Sequence, residues 1–181
     1  MHVVLVGYRA AGKTTAGRLV AERLGWEYLD VDRGIEAHCG LTIAEIFGRR
    51  GEPYYRDVES SVVAEMCARH DAVVTFGGGT LMRPANQEHA RRDGLVVYLE
   101  ADAGELWRRI EADPASAATR PNLAGGGLQE VVTMLAQRAP VYRANADLTL
   151  DATLPPGELA DRIVAAVRDR QRAGPRRGGL A

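Results

Sequence analysis

The chain has 181 residues, 46% of them hydrophobic and 26% charged, with a formal net charge of −1. That balance excludes a wholly disordered chain and a global basic field for nucleic acid or an anionic membrane surface, and no apolar run reaches membrane-span length. A domain of this size needs no disulfide or metal staple, and two cysteines, Cys39 and Cys67, are too few for a disulfide framework, so a cytoplasmic location is expected.

The chain enters an apolar run at once, and residues 3–6 read as a strand covered on both faces, not as a signal peptide. A loop over 7–12 leads into a helix over 13–24, stopped by Gly25. Residues 26–29 are a second strand. Short helices are predicted over 32–39 and 42–50, the latter opened by a capping box of Thr42 and Glu45. A longer helix over 53–69 has Pro53 in its first turn, and strands follow at 72–76 and 95–99. Asp102 and Glu105 cap a helix running to 111. Residues 112–127, rich in Ala and Gly, read as a mobile loop. Residues 128–142 are mostly helical, 147–150 form a fifth strand, and 156–172 the last helix, with a disordered tail over 173–181. The alternation predicts one α/β domain over 1–172, with a five-stranded parallel sheet between two helical layers.

The strongest motif is Gly7-Tyr-Arg-Ala-Ala-Gly12-Lys13-Thr14, which matches GxxxxGK[ST] between an apolar strand and a helix. Glycines let backbone N–H groups close around phosphate oxygens, and the helix N-terminus adds partial positive charge. Lys13 reaches the β- and γ-phosphates, and the Thr14 hydroxyl can ligate Mg²⁺. Of 23 basic residues Lys13 is the one lysine, so the NKxD motif of a GTPase cannot exist here, and no DxxG follows. Length and strand number suit a small-molecule kinase.

Three further features sit at the ends of predicted strands. Asp30 and Asp32, two apart on an extended segment, face one way and can share a cleft, one serving a metal and the other an acceptor hydroxyl. The alternative is a helix N-cap with a solvated neighbour. Gly77-Gly78-Gly79 permits close approach of a ligand to the backbone, or is a flexible turn. Arg56 lies on the long helix and, taken singly, reads as a surface residue.

Together these residues carry a resemblance. With the loop at 7–14, Asp30 and Asp32, Arg56 within GEPYYRDVE, Gly77–Gly79, Arg120-Pro121 and Arg138-Ala-Pro-Val-Tyr142, the chain resembles the shikimate kinases from residue 3 to about 170. The resemblance implies a P-loop kinase fold with a lid over 112–127, and transfer of the γ-phosphoryl of ATP to the 3-hydroxyl of shikimate, on the route to aromatic amino acids. It implies Asp32 as the acceptor ligand and base, and Asp30 with Thr14 near Mg²⁺. Arg56 and Arg138 would grip the shikimate carboxylate, with Gly77, Gly78 and Gly79 beside it. Gly7, Ala10, Ala11, Gly12, Lys13, Thr14 and Thr15 would hold the ATP phosphates, Arg120 would reach them from the lid, and Arg109 and Pro156 would flank the adenine. Catalysis would fall to Asp32, Lys13 and Arg120. Ala10 stands where the family usually has Gly, Tyr55 where Phe is common, and the stretch from Arg109 to Arg120 is longer than the family's.

His38, Cys39, Cys67 and His70 are too scattered to predict zinc, and Leu106, Trp107 and Ile110 read as core-facing. The partners expected are ATP and shikimate, with Mg²⁺ as cofactor, no nucleic acid, no membrane and a monomeric state. The competing readings are another small-molecule P-loop kinase, of gluconate or nucleotide type, and a nucleotide-binding module without turnover.

Overall fold

A computed structural model describes residues 1–113 and 127–173. Arg120, nearly all of the expected lid and residues 174–181 lie outside the described residues. Five strands form one parallel sheet: β1 (His2–Val6), β2 (Glu27–Asp30), β3 (Ala72–Thr75), β4 (Gly94–Glu100) and β5 (Leu148–Asp151), in the order β2-β3-β1-β4-β5. The helices are α1 (Lys13–Leu24), α2 (Val31–Cys39), α3 (Ile43–Cys67), α4 (Pro84–Arg91), α5 (Ala103–Ala112), α6 (Gly127–Asn145) and α7 (Pro156–Ala173).

β1 is apolar on both faces because both faces are covered. Val3 and Leu5 pack against Val20 of α1, Leu106 of α5 and Ile163 of α7. Val4 and Val6 pack against Ile35 of α2, Val63 of α3 and Tyr142 of α6. The three-layer α/β/α arrangement follows, as the alternation predicts. No helix among the described residues is long and apolar enough to cross a membrane.

The chain leaves β1 toward β2 on one side of the sheet and later crosses to β4 on the other. A crevice opens at the carboxyl ends of the strands where the direction reverses. Gly7 follows β1, Asp30 ends β2 and Gly77 lies just past β3, so all three converge there.

Three differences from the sequence reading have physical causes. Asp30 ends β2 and Val31 already begins α2, so Asp32 lies in a first helical turn and the extended-segment argument does not hold. The helices predicted over 42–50 and 53–69 are one element, α3, broken at Gly51, whose φ of 79° and ψ of 170° are open to glycine. Residues 80–91 contain an unpredicted 3₁₀ turn, Thr80–Met82, and then α4. Few of their residues are apolar, so helical periodicity is weak; Pro84 at the first helical position is the one local signal.

Candidate active site

The phosphate loop runs from Gly7 to the start of α1. Gly7 has φ 145°, and a Cβ there would lie 2.7 Å from the Leu99 carbonyl oxygen. Gly12, in the left-handed region at φ 84°, turns the chain into α1. The Lys13 ammonium folds back over its own loop, donating to the carbonyls of Gly7 at 2.9 Å and Tyr8 at 2.8 Å. It is thus held at the mouth of the helix. Ala10 adopts φ 63°, a left-handed conformation that costs an L-residue roughly 1–2 kcal/mol. The missing glycine is therefore a real departure and not a neutral one.

The loop borders a polar cleft. Ala10, Gly12, Lys13, Thr14, Thr15, Asp30, Asp32 and Arg109 line it. Gly7 and Ala11 are buried behind the loop and shape it from below. Arg109 donates to the carbonyls of Ala10 at 3.3 Å and Ala152 at 2.9 Å, and to Glu105 at 2.6 Å. Hydrogen bonds from Arg108 and Arg109 hold the Glu105 carboxyl down to about 2. Pro156, at the first position of α7, is exposed and does not line this cleft.

Asp30 has two jobs. It caps α2 by accepting from the Arg33 N–H at 3.3 Å, and it also accepts from the Tyr28 hydroxyl at 3.3 Å. Asp30 thus caps α2 and also lines the polar cleft, and Asp32 lines the same cleft from the first turn of α2.

Beside this cleft lies a second pocket of about 700 Å³, open mouth included, walled by Tyr8, Asp32, Phe47, Tyr55, Arg56, Glu59, Gly77, Gly78, Gly79 and Arg138. The three glycines each make room for one charged side chain. A Cβ on Gly77 would stand 2.8 Å from Asp32 Oδ1, one on Gly78 3.3 Å from an Arg138 nitrogen, and one on Gly79 3.0 Å from an Arg56 nitrogen. The Gly run thus lets Asp32, Arg138 and Arg56 converge on one pocket. Tyr142, fully buried, donates its hydroxyl to the Gly78 carbonyl and fixes the turn to α6, which also carries Arg138. Arg138 in turn lies over the Tyr8 ring, 5.8 Å from its centroid.

Glu59 is a pocket residue that sequence reasoning does not reveal. It is 1% exposed and accepts from Arg56 at 2.9 Å and from the Thr80 hydroxyl at 2.8 Å. Arg56 also reaches Glu52 at 3.1 Å and stacks on Tyr55 at 5.1 Å. Burial opposes the Arg56 charge, but Glu59 and Glu52 outweigh it and strengthen its hold on the proton. The clue was present as Glu at i+3 from Arg56, a spacing that reads equally as a surface ion pair.

A phosphate loop abutting a pocket with two arginines and a carboxylate is what comparison with known proteins can decide. The family model for shikimate kinase matches residues 9–168. The chain belongs to the shikimate kinase family. A shikimate kinase from Gloeobacter violaceus is 44% identical over 171 residues, covering 94% of this chain and 94% of the relative. One from Oleidesulfovibrio alaskensis is 38% identical over 164 residues, covering 90% of this chain and 95% of the relative. A solved shikimate kinase from Acinetobacter baumannii, in complex with shikimate, superposes with a TM-score of 0.85 at 34% identity and covers 93% of both chains. Family membership removes the gluconate- and nucleotide-kinase readings, and the activity is that of a shikimate kinase.

Proposed function

We infer that this shikimate kinase transfers the γ-phosphoryl group of ATP to the 3-hydroxyl of shikimate, with Mg²⁺ as cofactor. The observation that carries the residue assignments is that Asp32 lines both the phosphate cleft and the adjacent pocket. A group that touches both sides is where donor and acceptor meet.

In this reading shikimate lies in the pocket with its carboxylate on Arg56 and Arg138. The planar guanidinium fork suits a carboxylate and stays charged at any working pH. Glu59 and Tyr55 hold Arg56 in place, so little ordering is left for the substrate to impose. Asp32 orients the acceptor hydroxyl and takes its proton late, because the transition state is loose and the attacking oxygen becomes acidic only after bond formation. Lys13 and the loop N–H groups hold the ATP phosphates, and Arg120 adds charge from the lid by family resemblance. Arg109 keeps the loop in shape through Ala10. Thr14 and Asp30 would be the oxygen donors for Mg²⁺; hard oxygens beside a phosphate cleft fit an ion that takes few protein ligands. Bound there, the metal would neutralise charge on the phosphate oxygens.

The test is ADP release in a coupled assay with Mg²⁺ and ATP, run with shikimate, with gluconate and without acceptor. Turnover with shikimate alone is expected. Equal turnover of gluconate, or ADP formation without an acceptor, refutes the reading.

A further inference from the structure

Among the described residues, Arg9 and Asp32 are the two that border both the phosphate cleft and the shikimate pocket. The reaction accounts for Asp32. Nothing in the family motif accounts for Arg9, which occupies a free position of GxxxxGK. It sits on the loop between the buried ring of Tyr8 and the strained Ala10. Its backbone nitrogen is 3.7 Å from where a Cβ on Gly78 would stand, so loop and glycine turn meet at this residue.

Its pairing also sets it apart. Arg56 and Arg109 each carry a glutamate. The Nε of Arg9 is buried and has no hydrogen-bond partner among the described residues. A buried guanidinium nitrogen left unpaired is costly, and such exceptions call for a function. Lys13 is committed to the nucleotide side, where it is curled against the Gly7 and Tyr8 carbonyls. Charge on the phosphoryl oxygens, however, has to cross the junction.

We propose that Arg9 is a catalytic residue whose guanidinium binds the phosphoryl oxygens in transit between ATP and shikimate. The proposal rests on the acceptor-pocket reading above. In the step, the acceptor oxygen bonds to the γ-phosphorus while the bond from that phosphorus to the β,γ-bridging oxygen breaks. The electron pair of the broken bond leaves on ADP, and the hydroxyl proton passes to the Asp32 carboxylate. Arg9 makes and breaks no covalent bond. It offsets charge spread over the three equatorial oxygens, where a preorganised donor acts most strongly.

Arg9→Met removes the charge and keeps the length, Arg9→Lys keeps the charge, and Arg9→Gln repeats the charge removal should the methionine variant fold poorly. The full chain is assayed for kcat and both KM values. Binding of ADP is measured with Mg²⁺ and shikimate, with and without aluminium fluoride, a mimic of the transferring phosphoryl group. Arg9→Met is expected to lower kcat on the order of 10²-fold or more, the usual effect of removing one transition-state donor. Affinities for ADP and shikimate should stay within about threefold, and the gain on adding aluminium fluoride should vanish. Arg9→Lys should recover part of both. A kcat within about threefold of wild type, a loss confined to either KM, or equal weakening with and without aluminium fluoride overturns the proposal. Asp32→Asn and Arg56→Lys run alongside. If both keep full activity, the acceptor-pocket reading itself fails; if both lose activity while Arg9→Met does not, this inference alone fails.

Discussion

The Arg109 guanidinium donates to the Ala10 carbonyl at 3.3 Å, tying the end of α5 to the one left-handed alanine of the phosphate loop. Because Arg109 also holds Ala152, the loop is braced against the turn after β5. Ala10 is strained, and the strain is held by contacts 99 residues away in sequence.

Replacing Ala10 by Gly should relieve that strain. The left-handed penalty is roughly 1–2 kcal/mol, and glycine's extra freedom in the unfolded chain returns about 0.4–1 kcal/mol of it. The net expectation is a gain on the order of 0.5–1 kcal/mol in urea unfolding, with KM for ATP unchanged or lower. A destabilised Ala10→Gly protein would show that the alanine methyl contributes more by packing than its backbone costs.

The brace should be indifferent to pH over the working range. Arg108 and then Arg109 pull the Glu105 carboxyl down to about 2. A depressed carboxylate stabilises the fold above its unfolded pKa, and that contribution is lost only as pH falls through the folded value. Between pH 5 and 9, which lies above both values, KM for ATP should therefore show no step due to Glu105. Glu105→Gln should leave the shape of that profile unchanged while raising KM for ATP. A step that disappears in Glu105→Gln would contradict the assignment.

Arg56 is half-buried between two glutamates and beside a glycine turn. Arg56→Lys keeps the charge and loses the fork, so shikimate affinity should fall roughly 10-fold or more, the scale of one charge-assisted hydrogen bond, with ATP affinity intact. Gly79→Ala should give a milder version of the same defect, since its Cβ would press on Arg56 from 3.0 Å. Isothermal titration with each substrate checks both. Unaltered shikimate affinity in Arg56→Lys would return Arg56 to the status of a surface residue.

What could be read beforehand was local. The phosphate loop is eight contiguous residues with a strand before and a helix after, and each residue type has a chemical reason. The glycine run was visible, but its reason was not: it depends on Asp32, Arg56 and Arg138 arriving from three different helices. Glu59 was hidden because an acid three residues beyond an arginine looks the same on a surface as in a core. Arg9 was hidden because the motif leaves its position free. Residues 80–91 show little helical periodicity because part of what holds them is polar, such as the donation from Asn86 to the Thr80 carbonyl at 2.8 Å.

The single lysine permits a chemical test. An amine-directed reagent has two targets, Lys13 and the N-terminal amine. The N-terminal amine lies 3.1 Å from His70 Nδ1, at the opposite end of β1 from the loop, and serves as an internal control. MgATP should slow labelling of Lys13 and leave the N-terminus unaffected, read by mass spectrometry of the peptides. Equal protection at both positions, or at neither, would count against a phosphate contact by Lys13.

In the proposed reading Asp30 serves the metal and Asp32 the acceptor, and the structure sharpens how these roles can be separated. Asp30 caps α2, and asparagine caps about as well as aspartate, so Asp30→Asn should leave stability nearly unchanged. Any defect it shows is then a defect of charge at the cleft. We expect it to raise the Mg²⁺ concentration needed for half-maximal activity while shikimate affinity holds. Asp32 is not the N-cap residue; its Oδ1 faces Gly77, at the seam of the two clefts. Asp32→Asn should lower kcat on the order of 10²–10⁴-fold, the usual effect of removing a general base, with its Mg²⁺ requirement near wild type. Because the proton moves late in a loose transition state, much of that loss reflects orientation of the hydroxyl and not proton transfer itself. A Mg²⁺ titration at saturating ATP and a shikimate titration at saturating Mg²⁺, on both variants, separate the roles. A Mg²⁺ defect in Asp32→Asn with a shikimate defect in Asp30→Asn would exchange the two assignments, and full activity in both would move the acceptor site away from α2.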